Sequence, residues 1–393
     1  MKILISLVGT GKLARDAQSS RYITTDYLIE GKLYQSETFV ASAIIKHYEI
    51  NKVFFIGTNQ SMWDEIGNTF GVDDDICVSC YEKQNNENLT EEDLFPVTEA
   101  INKKLKQKGS KCIIIKEGVN DNELLDVFNR FVKILDLISD SDELYLDITH
   151  LFRSLSVMAL VMSEFGLSYK RFKLKGVFYG QLSDSRHSTV INLVVFLEFL
   201  KWSKAIRDLN LYGNGHGLDK LLQNSDEPKE IKTIFKNFSN ALSIADMGEI
   251  QESVKLIKKQ INLFEESKNP IIKIISKQLI NFIKRFDASD SLSKFQFDLT
   301  EWYAENNNYA MAYITLVEAA ISARCEITYK DSTDRNNREE AKDSLKKIKV
   351  FKKVNNIRNN IAHKISAPLA KQHPKDAISN FNRYYSALKN ITA

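Results

Sequence analysis

The chain has 393 residues, of which 43% are hydrophobic, and it carries 54 Lys and Arg against 51 Asp and Glu. At roughly 150 residues per domain this length favours two or three domains, and the apolar content excludes a largely disordered chain. Because the net charge is only +3, any strongly basic surface is confined to one part of the chain.

The apolar runs and the cysteines indicate a cytoplasmic protein. The first run, Ile3–Val8, is too short for the hydrophobic region of a signal peptide and is typical of a buried strand. The longest later run, 190–200, is interrupted by polar residues, so we predict no membrane span. Cys77 and Cys80 form one C-x-x-C pair, but a zinc ribbon would need a second pair. We therefore expect reduced thiols in the cytoplasm.

The first half of the chain alternates short apolar runs with helix-like patterns. We predict strands at Ile3–Val8, Lys52–Ile56, Lys111–Ile115, Glu143–Asp147 and Lys173–Phe178. We predict helices at Thr38–Tyr48, Asn122–Ile138 and Ser154–Glu164. Since several strands are apolar throughout, helices should cover both sheet faces, which indicates an α/β domain with a mostly parallel, doubly wound sheet. Tyr22–Glu30 and Lys32–Thr38 flank Gly31 and predict a hairpin inserted after the first strand.

The strand pattern stops at about Thr189. Val190–Leu222 is predicted to be helical apart from a turn at Gly213–Gly217, and Asn224–Pro228 is a helix break and our candidate domain boundary. The remainder is predicted to be all α, with Lys330–Glu340 as its longest polar connector. This gives three parts, namely an α/β domain at 1–188, a helical linker at 189–226 and an all-α domain at 227–393.

Small or polar residues follow four of the predicted strands. These stretches are Gly9–Lys12, Gly57–Ser61, Lys116–Gly118 and Asp147–Arg153. The carboxyl ends of parallel strands share one edge of the sheet, and ligands bind in the crevice there. Glycines let the backbone approach phosphates, and helix N-termini favour anions. The sequence therefore predicts a nucleotide site at this edge.

The Gly9–Lys12 stretch by itself permits another interpretation. It is not a Walker A loop, because Ser6 replaces the leading glycine and Leu13 follows the lysine. With Ala14 it fits G-x-G-x-x-A, so a nicotinamide-nucleotide enzyme stays open as an alternative. The hairpin predicted directly after this stretch argues against that alternative.

Positive charge is concentrated near the C-terminus, where residues 342–389 contain twelve Lys or Arg and two acidic residues. Within this segment we predict a helix at Ser344–Ser366. Its apolar stripe would consist of Leu345, Ile348, Phe351, Val354, Ile357, Ile361 and Ile365. At about 100° per residue, Arg358, Asn359 and His363 lie away from that stripe. A titratable imidazole and a phosphate-binding guanidinium on one basic helix are typical of RNA cleavage.

Two motifs carry a resemblance to a known family. Asp147–Arg153 reads D-I-T-H-L-F-R and resembles the D-x-T-H-G-F-R signature of CRISPR-associated proteins with a CARF domain, with Leu151 in place of the usual glycine. Arg358–His363 resembles the R-x4-H motif of HEPN ribonucleases, including an asparagine directly after the arginine. In this combination the chain looks like a type III CRISPR ancillary ribonuclease that cyclic oligoadenylate activates.

The resemblance implies a Rossmann-like CARF domain and an all-α HEPN domain in a homodimer, with larger assemblies left open. One ring of cyclic oligoadenylate, with the tetra-adenylate favoured, would bind across the two-fold axis. The ring would lie against Thr10, Gly11, Lys12, Thr58, Asn59, Thr149, His150 and Arg153. Binding would switch on antiviral cleavage of single-stranded RNA, without a metal or other cofactor and without a membrane or DNA partner.

The resemblance also assigns roles within a composite HEPN site formed by two copies of the chain. His363 would exchange protons with the RNA, Arg358 would bind the scissile phosphate and Asn359 would orient the imidazole. Nearby lysines would steer RNA through phosphate contacts; they are Lys346, Lys347, Lys349, Lys352, Lys353 and Lys364. The alternative is a catalytically silent module that senses cyclic nucleotides or dimerises.

Overall fold

The structure is a computed structural model that describes residues 1–11, 22–182, 187–287, 291–362 and 374–391. The chain divides into two compact units, Met1–Glu198 and Phe199–Ala393. Across the described part of the chain, no helix is long and apolar enough to cross a membrane. All four cysteines are buried, and none of them is in a disulfide.

The first unit is built on one sheet. Its strands within the described residues are β1 (Lys2–Val8), β2 (Thr25–Ile29), β3 (Lys32–Glu37), β4 (Lys52–Gly57), β5 (Lys111–Ile114), β6 (Glu143–Asp147), β7 (Lys173–Leu182) and β8 (His187–Asn192). Their order is β3-β2-β8-β7-β6-β1-β4-β5. The adjacent strands β7, β6, β1, β4 and β5 pair in parallel. In contrast, β8 is antiparallel to β7, and β3 is antiparallel to β2. The predicted parallel sheet and hairpin are thereby confirmed.

Helices cover both faces of this sheet, as the apolar strands predicted. The helices of this unit are α1 (Val40–Tyr48), α2 (Trp63–Phe70), α3 (Asp74–Asn85), α4 (Phe95–Leu105), α5 (Asp121–Asp136) and α6 (Arg153–Tyr169). Successive residues of β1 point to opposite faces, so Leu4 joins the core under α1, α2 and α4, whereas Ile3 and Ile5 join the core under α5 and α6.

The second unit is all α over the residues that the structure describes. After α7 (Val194–Tyr212), within which the two units divide, come α8 (His216–Gln223), α9 (Lys229–Ile244), α10 (Met247–Glu265), α11 (Pro270–Asp287), α12 (Leu292–Glu305), α13 (Tyr309–Ile327), α14 (Arg335–Leu345), α15 (Lys349–Ala362) and α16 (Pro374–Ile391). They surround one apolar core. Ala312, Leu316 and Ala320 of α13 lie fully inside it, so α13 is the central helix of the unit.

Three predictions about elements were wrong. Val190 belongs to β8 and not to a helix; β8 alternates exposed residues with buried Ser188 and Val190, a weaker signal than a wholly apolar run. The predicted connector Lys330–Glu340 contains the first turns of α14. Asp334 caps that helix by accepting a hydrogen bond from the Asn337 amide at 2.9 Å.

The third wrong prediction is the continuous helix Ser344–Ser366. The amide of Ile348 donates to the Leu345 carbonyl at 2.9 Å, a tight turn that ends α14 before α15 begins. Phe351, Val354 and Ile357 are buried as predicted. Ile361 is 44% exposed and therefore does not continue the buried stripe. The predicted residues Ile365 and Ser366 lie outside the described residues.

Candidate functional site

Three of the four predicted loops meet at one edge of the sheet, because β6, β1 and β4 are neighbours. The Ser61 hydroxyl donates to the Val8 carbonyl at 2.6 Å, and the Met62 amide donates to the Gly9 carbonyl at 2.9 Å. These bonds tie the loop after β4 to the loop after β1. A β-carbon on Gly9 would lie 3.2 Å from the amide nitrogen of Leu151, so the loop after β6 contacts the same segment.

Gly11 occupies a position that only glycine fits. Its φ is +70°, and a β-carbon there would lie 2.6 Å from the ring of Tyr22 and 2.9 Å from the sulfur of Met62. Thr10, beside it, is exposed, so the backbone of this loop forms part of the surface at the sheet edge. Lys12, predicted to bind the ring with them, lies outside the described residues.

A buried polar cluster fixes Tyr22 against Gly11. The Tyr22 hydroxyl donates to Asp64 at 3.0 Å, and the Gln84 amide donates to Asp64 at 2.9 Å and to the Tyr22 oxygen at 3.2 Å. Burial raises the pKa values of Asp64 and Tyr22. Sequence reasoning missed this cluster, because its members come from three distant segments and none stands in a recognisable motif.

Asp147 anchors the Asp147–Arg153 stretch, and its side chain is fully buried. Asp147 accepts hydrogen bonds from the Ser6 hydroxyl at 2.7 Å and from the Thr149 amide at 3.0 Å. The Thr149 hydroxyl accepts from the Gly180 amide at 2.9 Å, which links the loop to β7. Asp147 and Thr149 thus shape the loop and do not cap α6, whose N-cap residue is Phe152.

His150 is half-buried, and its Nε2 atom is buried without a hydrogen bond from any described residue. Burial lowers the pKa of His150 and raises the pKa of Asp147 nearby. Burial thus favours the neutral form of the imidazole. A neutral imidazole with one unpaired ring nitrogen can donate a hydrogen bond to an uncharged group of a ligand or accept one from it.

The loop ends at the N-terminus of α6, a position that favours the binding of an anion. Leu151 has a φ of 78°, so it keeps the left-handed conformation for which glycine is the usual residue. No described side chain caps the N-terminus of α6, and Arg153 in its first turn is exposed. The free amide groups of that turn together with the guanidinium suit a phosphate group.

An open cleft of about 720 Å³ extends the site along the ends of β4 and β5. Thr58 and Asn59 line it, although Thr58 is buried and the Asn59 amide already donates to the Glu87 carbonyl at 2.7 Å. Lys116 and Arg130 also line it. The cleft lies within the range of about 300–1,000 Å³ that ligand pockets usually have. The fourth predicted loop, Lys116–Gly118, thus borders the same region, whereas sequence reasoning missed Arg130, which lies inside α5.

In the second unit, Arg358 and Asn359 lie together on α15. Nη1 of Arg358 donates to Oδ1 of Asn359 at 3.2 Å, and Nε of Arg358 is buried without a partner among the described residues. Val354 and Ile357 on the same helix are buried in the core. The arginine head is therefore fixed by packing and by Asn359. His363 lies outside the described residues, so its predicted place beside Arg358 stays a prediction.

Comparison with known proteins supports the class predicted for the first unit. Residues 3–182 match the family model for the CARF domain of the CRISPR system endoribonuclease Csx1. Residues 198–291 match the model for the second domain of the CRISPR-associated protein MJ1674. The first unit therefore belongs to the CARF domain family of CRISPR-associated proteins, as the Asp147–Arg153 motif predicted.

One relative that aligns with most of the chain is consistent with that family. The CRISPR-associated protein MJ1674 of Methanocaldococcus jannaschii is 32% identical over 397 residues, which covers 92% of this chain. The chain spans 62% of the length of that relative. Csm6 of Enterococcus italicus, solved bound to cyclic hexa-2′-fluoro-hexa-dAMP, aligns with 100% of this chain and 93% of its own at 13% identity. The TM-score of that alignment is 0.35, which is too low for any inference about this chain.

Proposed function

We propose that the chain is a single-stranded RNA endoribonuclease of type III CRISPR defence, activated by cyclic oligoadenylate and preferring the tetra-adenylate. The observation that carries the proposal is that one chain combines two groups of candidate residues. A CARF domain presents Gly11, His150 and Arg153 at one sheet edge, and a separate helical unit presents Arg358 beside Asn359.

The ring would bind through complementary chemistry at the sheet edge. Its phosphates would meet the exposed Arg153 and the first-turn amides of α6. Its bases would meet backbone groups around Thr10 and Gly11 and the unpaired nitrogen of His150. Thr149 and Thr58 are already held within their turns and would shape the site, with Asn59 at its border. A second copy of the chain would complete the site around the two-fold axis.

Cleavage would follow from the R-x4-H motif on two copies of α15. One His363 would take the proton from the 2′-hydroxyl while its oxygen attacks phosphorus, and the other would protonate the departing 5′-oxygen. Arg358 would stabilise the charge that grows on the phosphate. The products are a 2′,3′-cyclic phosphate and a 5′-hydroxyl, and neither proton transfer requires a metal.

An apolar groove that includes Ile357 and Ile361 of α15 supports association with a second copy of the chain. It has a volume of about 320 Å³ and is lined by α13, α15 and α16. Ile361 and Ile378 on its walls are 44% and 47% exposed. Apolar residues exposed next to the motif are expected if a second copy covers them, because burial of such surface favours association.

The test is cleavage of a fluorescent single-stranded RNA in EDTA, with cyclic tetra-adenylate, cyclic hexa-adenylate or no ring. We expect cleavage with one ring only, its loss in His363→Ala, and its retention in His216→Ala, where the histidine is exposed on α8. Ring affinity, measured by calorimetry, should fall in Arg153→Ala. Intact ring binding without cleavage in the wild-type protein would leave the silent sensing module instead.

A further inference from the structure

A cleft of about 250 Å³ lies in the helical unit, and its walls include neither Arg358 nor Asn359. Residues of α7, α9, α11 and α12 form its walls. Three lining residues are aromatic and four carry amide side chains; they are Phe238, Phe282, Trp302, Asn210, Gln278, Asn281 and Asn306. Most of them fall within residues 198–291, the stretch that matches the MJ1674 second domain. Aromatic faces combined with amides suit a flat, uncharged, hydrogen-bonding ligand.

Trp302 forms a fixed wall of this cleft. Its ring lies 5.2 Å from that of Phe282 at an interplanar angle of 90°. Gly213 also lies against this ring: it has a φ of +64°, and a β-carbon there would lie 2.6 Å from the Trp302 ring. The glycine-rich turn after α7 therefore has a packing role, because it lets the backbone lie directly against the indole.

Asn306 carries an unused hydrogen-bond acceptor. The residue is 5% exposed, and its Nδ2 donates to the Trp302 carbonyl at 2.7 Å. That bond fixes the orientation of the amide, because a carbonyl oxygen can only accept. Oδ1 is buried and receives no hydrogen bond from the residues that the structure describes. A buried acceptor without a donor is unfavourable. A ligand that brings an N–H group into the cleft would supply the missing hydrogen bond.

The charges at the cleft disfavour a phosphate inside it. Arg285, on its wall, forms ion pairs with both Glu301 and Glu305. Two carboxylates thus neutralise the one guanidinium, and no other Lys or Arg is among the described residues that line the cleft. The inserted part of a ligand should therefore be neutral.

We propose that this cleft binds a nucleobase with an exocyclic amino group. The base would lie against Trp302 and Phe282 and donate its amino N–H to Oδ1 of Asn306. A cleft of 250 Å³ is below the range of about 300–1,000 Å³ typical of drug-sized ligands, which fits a single base. The base belongs either to a free nucleoside or to a single strand of RNA. This inference does not depend on the ribonuclease proposal, because it concerns other residues and is tested by binding.

The test compares adenosine with purine riboside, which lacks the amino group, by calorimetry. Linear hexa-adenylate is titrated into His363→Ala protein, so that RNA is not cleaved. Asn281→Trp fills the exposed mouth of the cleft, and Asn240→Trp places the same side chain on an exposed face of α9 as the control. Adenosine should bind about tenfold more tightly than purine riboside. Asn281→Trp should abolish binding, and Asn240→Trp should leave it unchanged.

Each further result decides one point. Tighter binding of hexa-adenylate than of adenosine, lost in Asn281→Trp, would identify RNA as the source of the base, whereas equal affinity would identify the nucleoside. Absence of binding for both ligands, or binding that survives Asn281→Trp, would overturn the proposal. Cyclic tetra-adenylate, titrated into the same variants, reports separately on the CARF domain, and its binding there should persist in all of them.

Discussion

Gly9 and Leu151 lie so close that a β-carbon on residue 9 would be 3.2 Å from the Leu151 amide nitrogen. The two residues belong to the loops after β1 and β6, so this approach joins two of the predicted ring-binding segments. The same β-carbon would lie 3.4 Å from Cβ of His150. The addition of one methyl group at residue 9 should therefore displace the loop after β6, which carries the Asp147–Arg153 motif.

Gly9→Ala is the direct test of that approach. Because the added methyl group pushes the His150–Leu151 backbone away, we expect a loss of about 1–3 kcal/mol in the free energy of unfolding. Affinity for cyclic tetra-adenylate should fall as well. The control is Gly248→Ala, where the nearest atom to a new β-carbon lies at 3.6 Å. Equal urea midpoints and equal ring affinities for the two variants would contradict the prediction.

Leu151→Ile tests the left-handed backbone at the position where glycine is usual. Isoleucine has the same number of atoms, but its branched β-carbon fits poorly at a φ of 78°. We expect a cost of about 1–2 kcal/mol, measured by chemical denaturation. Leu160→Ile, at a partly buried position inside α6, should cost only a few tenths of a kcal/mol. Similar losses for both would show that Leu151 is not strained.

His150 should make stability depend on pH. In the unfolded chain a histidine takes up a proton near pH 6.5, whereas burial lowers the pKa of His150 in the folded protein. The unfolded state therefore binds more protons below that pH, and the free energy of unfolding should fall by up to about 1.4 kcal/mol per pH unit. His150→Gln removes this slope and keeps Asp147. Unfolding curves of the two proteins that stay parallel from pH 8 to about 5 would rule the prediction out.

Arg358→Lys tests whether the guanidinium geometry matters and not only the charge. Lysine keeps the charge but loses the planar fork that binds a phosphate through two hydrogen bonds and that here also contacts Asn359. We expect a loss of about a hundredfold or more in the cleavage rate, with ring affinity unchanged. Arg383→Lys, at an exposed site on α16, should retain activity. Full cleavage by Arg358→Lys would remove the arginine from the proposed mechanism.

Lys352 and Lys353 should contribute to the salt dependence of RNA binding. Both are exposed on α15, whereas Lys346 already forms a 2.8 Å ion pair with Asp343. Each phosphate contact in single-stranded RNA contributes about 0.7 to the slope of log K against log salt. The Lys352→Ala, Lys353→Ala double variant, measured by fluorescence anisotropy on His363→Ala protein, should lower that slope by about 1.4. A larger change from Lys346→Ala would reverse this assignment.

The sequence by itself determined the class of the first unit and the place of its ligand site. Apolar runs such as Ile3–Val8 have strand length and strand composition, and the residues that follow them must meet once the strands are parallel. The Asp147–Arg153 motif could be recognised because its chemistry stands in one continuous stretch. The same holds for Arg358 and Asn359, which are adjacent in the chain.

Tertiary structure decided what depends on partners distant in sequence. β8 is polar and becomes a strand because β2 and β7 flank it. Tyr22, Asp64 and Gln84 form a cluster only after three segments fold together. The cleft at Asn306 needs four helices, so no local pattern marks it. Periodicity reports which face of an element is apolar, but only packing determines which polar atoms lose water and which of them find a partner.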